Sequence, residues 1–261
     1  MAVNASATRA SKRNCQNLSC VITVKPYNDG YYSPGRPPSQ PVNCDLMVSA
    51  TNTTTLVKPV IFDLCGGHPV LDFVNSLDNR FNSRGRIEGL RGYDDLLRFA
   101  RQTQLLESAR IAQLERTVTP AAGKRALRTA RAVREALAAT LYAVVGGRAP
   151  PADDLQTLER FFHAADRHRE LRWLQGGGER PALVWSWRRD EGGAELPVHA
   201  LALAARDLFA SPEIGRVRTC EAETCRWLFL DTSKSHTRRW CKMKVCGNRM
   251  KARRYQTRHS D

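Results

Sequence analysis

The chain has 261 residues, of which 42% are hydrophobic and 26% are charged, a composition that is ordinary for a soluble globular protein. Its formal net charge of +15 is unusual, and residues 216–261 supply most of it, with 13 Lys and Arg against 4 Asp and Glu. No stretch approaches the roughly 20 apolar residues of a membrane span, and no apolar run of signal-peptide length follows the N-terminus. We therefore predict a cytoplasmic protein with no membrane partner, whose basic C-terminal segment meets a polyanion.

Residues 1–56 differ from the rest of the chain. They are rich in Ser, Thr, Asn and Pro and show neither helical nor strand periodicity, so we predict that they are disordered. The pattern of a folded domain only begins near Val57. An alternative is therefore that Met47 is the true start and that residues 1–46 are an N-terminal extension that comes from a misplaced start codon.

Residues 57–215 carry the pattern of a mostly helical domain with a few strands. The apolar run from Val57 to the double glycine at 66–67 predicts a buried strand, and residues 182–187 predict another. The clearest helix spans about 121–145, where apolar residues recur every three or four positions. Capping residues predict the starts of further helices at Asp94 or Asp95, Ser108, Asp153 or Asp154, and Pro197.

The segment 216–261 contains two cysteine pairs with the same spacing. Four residues separate Cys220 from Cys225 and also Cys241 from Cys246, and fifteen residues lie between the pairs. Zinc with four thiolate ligands is tetrahedral, and each pair can supply one edge of the tetrahedron. So short a segment usually needs a metal in order to fold. We predict one structural zinc ion in a closed site of four cysteines, with His236 as the competing ligand.

Aromatic residues between the two pairs have two possible roles. Trp227 and Phe229 could stack on bases, but a module this small has little else to bury, so we favour a miniature core beneath the zinc. The predicted fold class is α+β, with a mostly α-helical main domain, a few strands and a small C-terminal four-cysteine zinc finger.

Basic residues cluster around and after the second cysteine pair. Asn248 can cap a short helix in this region, and a cation that meets a phosphate releases a condensed counterion. We therefore predict nucleic-acid contacts from these residues, to DNA or to RNA, with docking on an acidic protein surface as the alternative. The predicted contact residues are Arg238, Arg239, Lys242, Lys244, Arg249, Lys251, Arg253, Arg254 and Arg258.

The sequence offers little support for an enzyme. Cys65 and His68 are close along the chain, but a cysteine after an apolar run is more often a small buried residue than a nucleophile. His163 and His168 are five residues apart in the sequence, and this spacing does not place them on one helical face, as two metal ligands would require. We predict no catalytic residues.

Two stretches resemble known families. The run CEAETCRWLFLDTSKSHTRRWCKMKVCGNRMKARRY resembles the CGNR zinc finger, which is named for residues 246–249. The run FDLCGGHPVLDFVNSLDNR at 62–80 resembles the start of the ABATE domain, which precedes that finger in bacterial proteins regarded as stress-induced transcription regulators. Ser76 stands where this pattern more often has Thr.

The resemblance implies a DNA-binding transcription regulator in two parts, an ABATE-like regulatory domain at 57–215 and a finger with a basic tail at 216–261. The ABATE-like part is then expected to act as a sensor or as the unit that forms a homodimer. A ligand-facing patch is one hypothesis for the turn after the first apolar run. The alternative is that its glycines make a tight turn and that Asp72 caps a helix. The patch comprises Gly66, Gly67, His68, Asp72 and Asn75.

Overall fold

The computed structural model describes residues 61–82, 85–174, 182–188 and 193–259. Within these ranges the chain is mostly helical and has three small antiparallel sheets of two strands each, which confirms the predicted α+β class. The predictions of disorder or of a late start for residues 1–56 lie outside the described residues.

The helices and strands follow one another in a simple order. The helices are α1 Pro69–Asn75, α2 Tyr93–Gln102, α3 Ser108–Thr117, α4 Pro120–Val145, α5 Ala152–Arg167, α6 Leu196–Ala210 and α7 Asn248–Arg258. The strand pairs are β1 Leu77–Asp78 with β2 Ile87–Glu88, β3 Arg169–Leu174 with β4 Ala182–Trp187, and β5 Val217–Thr219 with β6 Leu228–Leu230.

Helix α4 is the long element predicted from periodicity. The hydroxyl of Thr119 accepts a hydrogen bond from the Ala122 amide at its start, and it ends before Gly146. Its apolar stripe enters the main core between α1, α2, α5 and α6. The stripe residues at 0–1% exposure are Ala126, Ala130, Val133, Leu137 and Leu141. None of the helices in the described ranges is both long and apolar enough to cross a membrane.

The predicted strand that begins at Val57 is wrong in the part that the structure describes. Residues 61–64 form no regular secondary structure, and Ile61 is largely exposed. Phe62 instead inserts its ring into the core against Phe99, with ring centroids 5.1 Å apart. Its backbone N–H donates to the side-chain oxygen of Gln102, so a helix end takes the place of a partner strand.

The hairpin of β3 and β4 was predicted only in part. The strand at 182–187 is confirmed as β4, while β3 was not predicted. The alternation of Leu171 and Trp173 with charged neighbours is a period-2 signal that could have found it.

Strand β6 belongs to two hydrophobic cores at once. Side chains alternate across a strand, so Leu228 and Leu230 point into the main core while Phe229 points into the cysteine cluster. The strand packs on α1, where the Asn75 amide donates to the Leu228 carbonyl at 2.8 Å and accepts from the Leu228 N–H at 3.0 Å. The C-terminal segment therefore completes the core of the helical domain.

Substitution Leu228→Ala is expected to destabilise the helical domain as well as the C-terminal segment. The side chain is fully buried, and removing a buried leucine typically costs about 2–5 kcal/mol. Urea denaturation of the zinc-loaded protein, followed by helical circular dichroism, measures this loss. The control Leu155→Ala removes an exposed leucine from α5 and should change stability by no more than about 0.5 kcal/mol. Equal stabilities of the two variants would contradict the shared core.

Candidate metal centre and basic surface

The four predicted cysteine ligands come together. One Sγ atom from each of Cys220, Cys225, Cys241 and Cys246 lies within 4.8 Å of the others. The Sγ of Cys241 is 3.6 Å from that of Cys225 and 3.7 Å from that of Cys246. A tetrahedron with Zn–S bonds of about 2.3 Å has edges of about 3.8 Å, so the thiols already have the spacing of zinc ligands. The cluster can bind one zinc ion.

Two different turns present these thiols. The first pair lies in the loop between β5 and β6, where the Cys220 N–H donates to the Trp227 carbonyl at 2.8 Å and the Cys225 N–H donates to the Ala222 carbonyl at 2.8 Å. In the second pair, Cys241 precedes a single π-helical turn at Met243–Gly247 and Cys246 lies within that turn, where its N–H donates to the Lys242 carbonyl at 2.9 Å. Backbone hydrogen bonds thus help to hold the two cysteines of each pair in position.

Crowding of the thiols favours metal binding over independent ionisation. Hydrogen bonds from Cys225 and Cys241 lower the pKa of Cys220. The same contacts to Cys220 raise the pKa of Cys225 and of Cys241, because one thiolate disfavours a second beside it. A divalent cation removes this conflict, since it binds all four thiols as thiolates.

A fifth thiol and a histidine lie near the cluster without belonging to it. Cys65 packs against the buried group that contains the zinc cysteines, which its sequence position gave little reason to expect. The ring of His236 contacts the backbone carbonyl of Asp231 at 3.3 Å, and the group of clustered ligands contains cysteines only. The predicted core role of Phe229 is confirmed by its complete burial among the cysteines.

Polar contacts attach the cysteine module to the helical domain. The indole N–H of Trp227 donates to Asp78 at 2.8 Å, and the Lys242 ammonium donates to Asp63 at 2.8 Å. The Tyr142 hydroxyl of α4 donates to the carbonyl of Arg226 at 2.8 Å. Sequence reasoning missed these partners, because they lie more than eighty residues from the groups that they contact.

Asp231 organises the loop before the second cysteine pair, another role that was not predicted. It accepts hydrogen bonds from the hydroxyl and the N–H of Ser233 and from the N–H of Arg238. Desolvation acts to raise the pKa of Asp231, but these donors hold it below its usual value. The carboxylate is therefore a buried acceptor that closes the loop.

The predicted ligand patch lies where β6 meets α1. The Gly66 carbonyl accepts from the Leu230 N–H at 2.7 Å, and the Gly66 N–H donates to Asp72 at 2.7 Å. His68 caps α1 by accepting from the Val70 N–H, and burial lowers its pKa to about 4, so the ring is a neutral acceptor. Gly67 has φ of +74°, which suits a glycine turn beside Leu230. A ligand-binding role for these residues stays a prediction.

The nine predicted nucleic-acid residues fall into two groups. Five of them contact other parts of the chain. The guanidinium of Arg238 donates to the Trp240 and Cys241 carbonyls, and Lys242 pairs with Asp63. The other three pair across the first cysteine turn, Arg239 with Glu221, Arg249 with Thr224 and Arg253 with Glu223.

The remaining four cations have no ion pair within the described part of the chain. They are Lys244, Lys251, Arg254 and Arg258. The last three are three and four residues apart on α7, so they form one stripe along the helix, which we call the cation stripe. Every described residue from 251 to 259 is exposed.

A mostly helical domain joined to a four-cysteine metal centre defines a zinc-finger protein. The model of the ABATE family, described as "Putative stress-induced transcription regulator", matches residues 67–212, and the model of the CGNR zinc finger matches residues 216–259. The first match covers more than half of the sequence, so the chain belongs to the ABATE family and ends in a CGNR zinc finger. No curated protein matches this chain.

Replacing one clustered cysteine is expected to abolish zinc binding, whereas replacing the neighbouring Cys65 is not. Cys241→Ser removes a ligand from the middle of the cluster. Cys65→Ser removes a thiol that touches the same core without joining the ligand group. Zinc released by a mercurial and counted with a colorimetric chelator should be one per chain in the native protein and in Cys65→Ser. Loss of zinc from Cys65→Ser would show that the ligand set is wrong.

The pH dependence of stability should include a contribution from Asp72. Burial raises the pKa of Asp72 to about 7. The hydrogen bond from the Gly66 N–H acts to lower this pKa but is the weaker effect, and the negative charge of Asp63 adds to the rise. The folded chain then binds more protons than the unfolded chain between the two pKa values, so stability falls as the pH rises through this window. The slope is at most about 1.4 kcal/mol per pH unit.

Asp72→Asn should remove this slope. Urea denaturation at pH values between about 5.5 and 7, a window in which unfolded Asp is already ionised, would show the stability of the variant rising relative to that of the native protein. A difference between the two proteins that is independent of pH would contradict the raised pKa.

Proposed function

We propose that this chain is a zinc-dependent DNA-binding transcription regulator. Its CGNR finger contacts DNA phosphates, and its ABATE domain acts as the sensor or dimerisation unit, in the cytoplasm and without catalysis. The observation that carries the proposal is the exposed helix α7 with its unpaired cation stripe of Lys251, Arg254 and Arg258. The family's description as a transcription regulator supports the same class of function.

Helix α7 has little apolar contact with its own protein, and Met250 alone among its described residues is half-buried, against the cysteine cluster. None of its eleven residues is buried, and an isolated helix shorter than about 12–15 residues is marginally stable in water. It is anchored through its first half, by the turn that carries Cys246 and by the contacts of Arg249 and Arg253. Zinc therefore fixes the direction in which α7 projects, and a polyanion would stabilise it along its length.

The dimensions of the cation stripe suit duplex DNA. From Lys251 to Arg258 the helix rises by roughly 10 Å, at about 1.5 Å per residue, which equals the rise of about three nucleotides of one strand along the DNA axis, at about 3.4 Å each. The major groove of DNA admits a helix, whereas the major groove of duplex RNA is too deep and narrow. These dimensions favour DNA over double-stranded RNA.

The test is fluorescence anisotropy of the zinc-loaded full chain on random duplex DNA over a series of salt concentrations. Each phosphate contact adds roughly 0.9 to the slope of log affinity against log salt. The triple variant Lys251→Ala, Arg254→Ala, Arg258→Ala should therefore lose up to about 2.7 from this slope. The affinity of this variant for DNA at low salt should fall at least tenfold. Metal-stripped protein should already have lost this affinity, so the same three substitutions should not lower it further.

Helix α4 offers a matched control. Lys124, Arg125 and Arg128 are one lysine and two arginines, exposed near its start. Their triple alanine variant removes the same charge and should keep its affinity and salt slope. Equal losses of DNA affinity in the two triple variants would show that only the net charge of the protein matters, and this result would overturn the proposal.

Two further outcomes separate the rival functions. Preference for structured RNA over duplex DNA in competition would identify an RNA-binding factor. Absence of binding to either polymer at low salt would leave docking on an acidic protein surface as the remaining candidate function. Retained DNA affinity in a folded Cys225→Ser, Cys241→Ser variant would show that zinc is not required.

A further inference from the structure

The hairpin of β3 and β4 exposes an apolar face. Leu171, Trp173, Leu183 and Trp185 lie on the same side of the two strands, and each is between 52% and 62% exposed. In the register of the hairpin, Leu171 lies opposite Trp185 and Trp173 lies opposite Leu183. This face, which we call the Leu-Trp face, therefore alternates small and large side chains in both directions.

The Leu-Trp face continues a surface that is buried at the base of the hairpin. Trp187 lies on the same side of β4 and packs against two of the apolar clusters of the helical domain. Among the described residues, β3 pairs only with β4. An isolated two-stranded hairpin is marginally stable, and the largest apolar patch on the surface of a protein is often functional.

We propose that a second copy of this chain covers the Leu-Trp face, with the two hairpins stacked face to face about a two-fold axis. If the axis lies between the faces, parallel or perpendicular to the strands, it places each tryptophan over a leucine of the other copy. Large side chains then meet small ones, as in a packed core. The face is thus complementary to itself, which is what a two-fold interface requires.

Charge also favours a second copy over a charged partner. The four residues of the Leu-Trp face are uncharged, and Arg169, at the base of the same side, lies over the rings of Trp185 and Trp187 of its own chain. Glu170 and Arg172 lie on the opposite side of β3. Residues 61–215 contain 22 Lys and Arg against 20 Asp and Glu, so two copies of this part do not repel each other strongly.

The exposed area predicts a weak dimer. A tryptophan can bury up to about 250 Å², so two half-exposed tryptophans contribute on the order of 250 Å² per copy, to which the leucines add. Across both copies the face reaches on the order of 800 Å², near the lower end for a weak specific interface. We therefore expect a concentration-dependent dimer.

Sedimentation equilibrium of the zinc-loaded full chain without DNA tests this proposal, independently of the proposed function. The native protein should pass from monomer to dimer as its concentration rises. Leu171→Lys places a charge in the centre of the interface and should weaken the dimer at least roughly tenfold. The control Leu155→Lys makes the same change at a leucine of α5 that is 44% exposed, and it should leave the dimer unchanged.

Thermal melting of both variants would show that each is folded at the temperature of the experiment. A second variant, Trp173→Ser, tests the same face without adding a charge and should also weaken the dimer. A native protein that stays monomeric up to several hundred micromolar would overturn the proposal. A dimer that Leu171→Lys and Trp173→Ser leave intact would also overturn it, because another surface would then hold the two copies together.

Discussion

The alternation of side chains along three residues of β6 is the constraint on which the structure depends. Leu228 and Leu230 complete the core of the helical domain, while Phe229 lies beneath the zinc cysteines. A strand has only two faces, and here both are buried, so neither part of the molecule is complete without the other. The finger is therefore an extension of the domain's own core, and zinc stabilises a strand that the helical domain needs.

This sharing gives a direct physical route between the helical domain and the finger. Gly66 and Asn75 hold the backbone of β6, and Asp78 and Tyr142 hold residues beside the first cysteine pair. A change in the position of α1 or α4 would therefore act on the cysteine turns through these contacts. The ligand-patch hypothesis and the sensor hypothesis concern the same place in the fold, the surface where α1 meets β6.

Formal charge overstates how many cations of the finger are available to a partner. Arg238 closes the loop before Cys241, and Arg249 and Arg253 tie the start of α7 to the first cysteine turn. Arginine suits such roles, because its several donors can bind backbone carbonyls and acidic side chains. Among the described residues, Lys244 and the cation stripe on α7 are the predicted contact residues that have no ion pair, and the position of the stripe depends on the pairs that fix the helix.

Sequence alone determined the local features of this protein. The spacing of four cysteines, the period of α4 and the charge of the C-terminal segment each depend on residues that are close along the chain, so the zinc site, the long helix and the basic helix could be predicted. Tertiary structure decided what depends on distant residues. Phe62 lies in the core without forming a strand, because the side chain of Gln102 at the end of α2 accepts the hydrogen bond from its backbone N–H. Which cations are unpaired, and which tryptophans are exposed, follows from burial against parts of the chain that no local pattern can place.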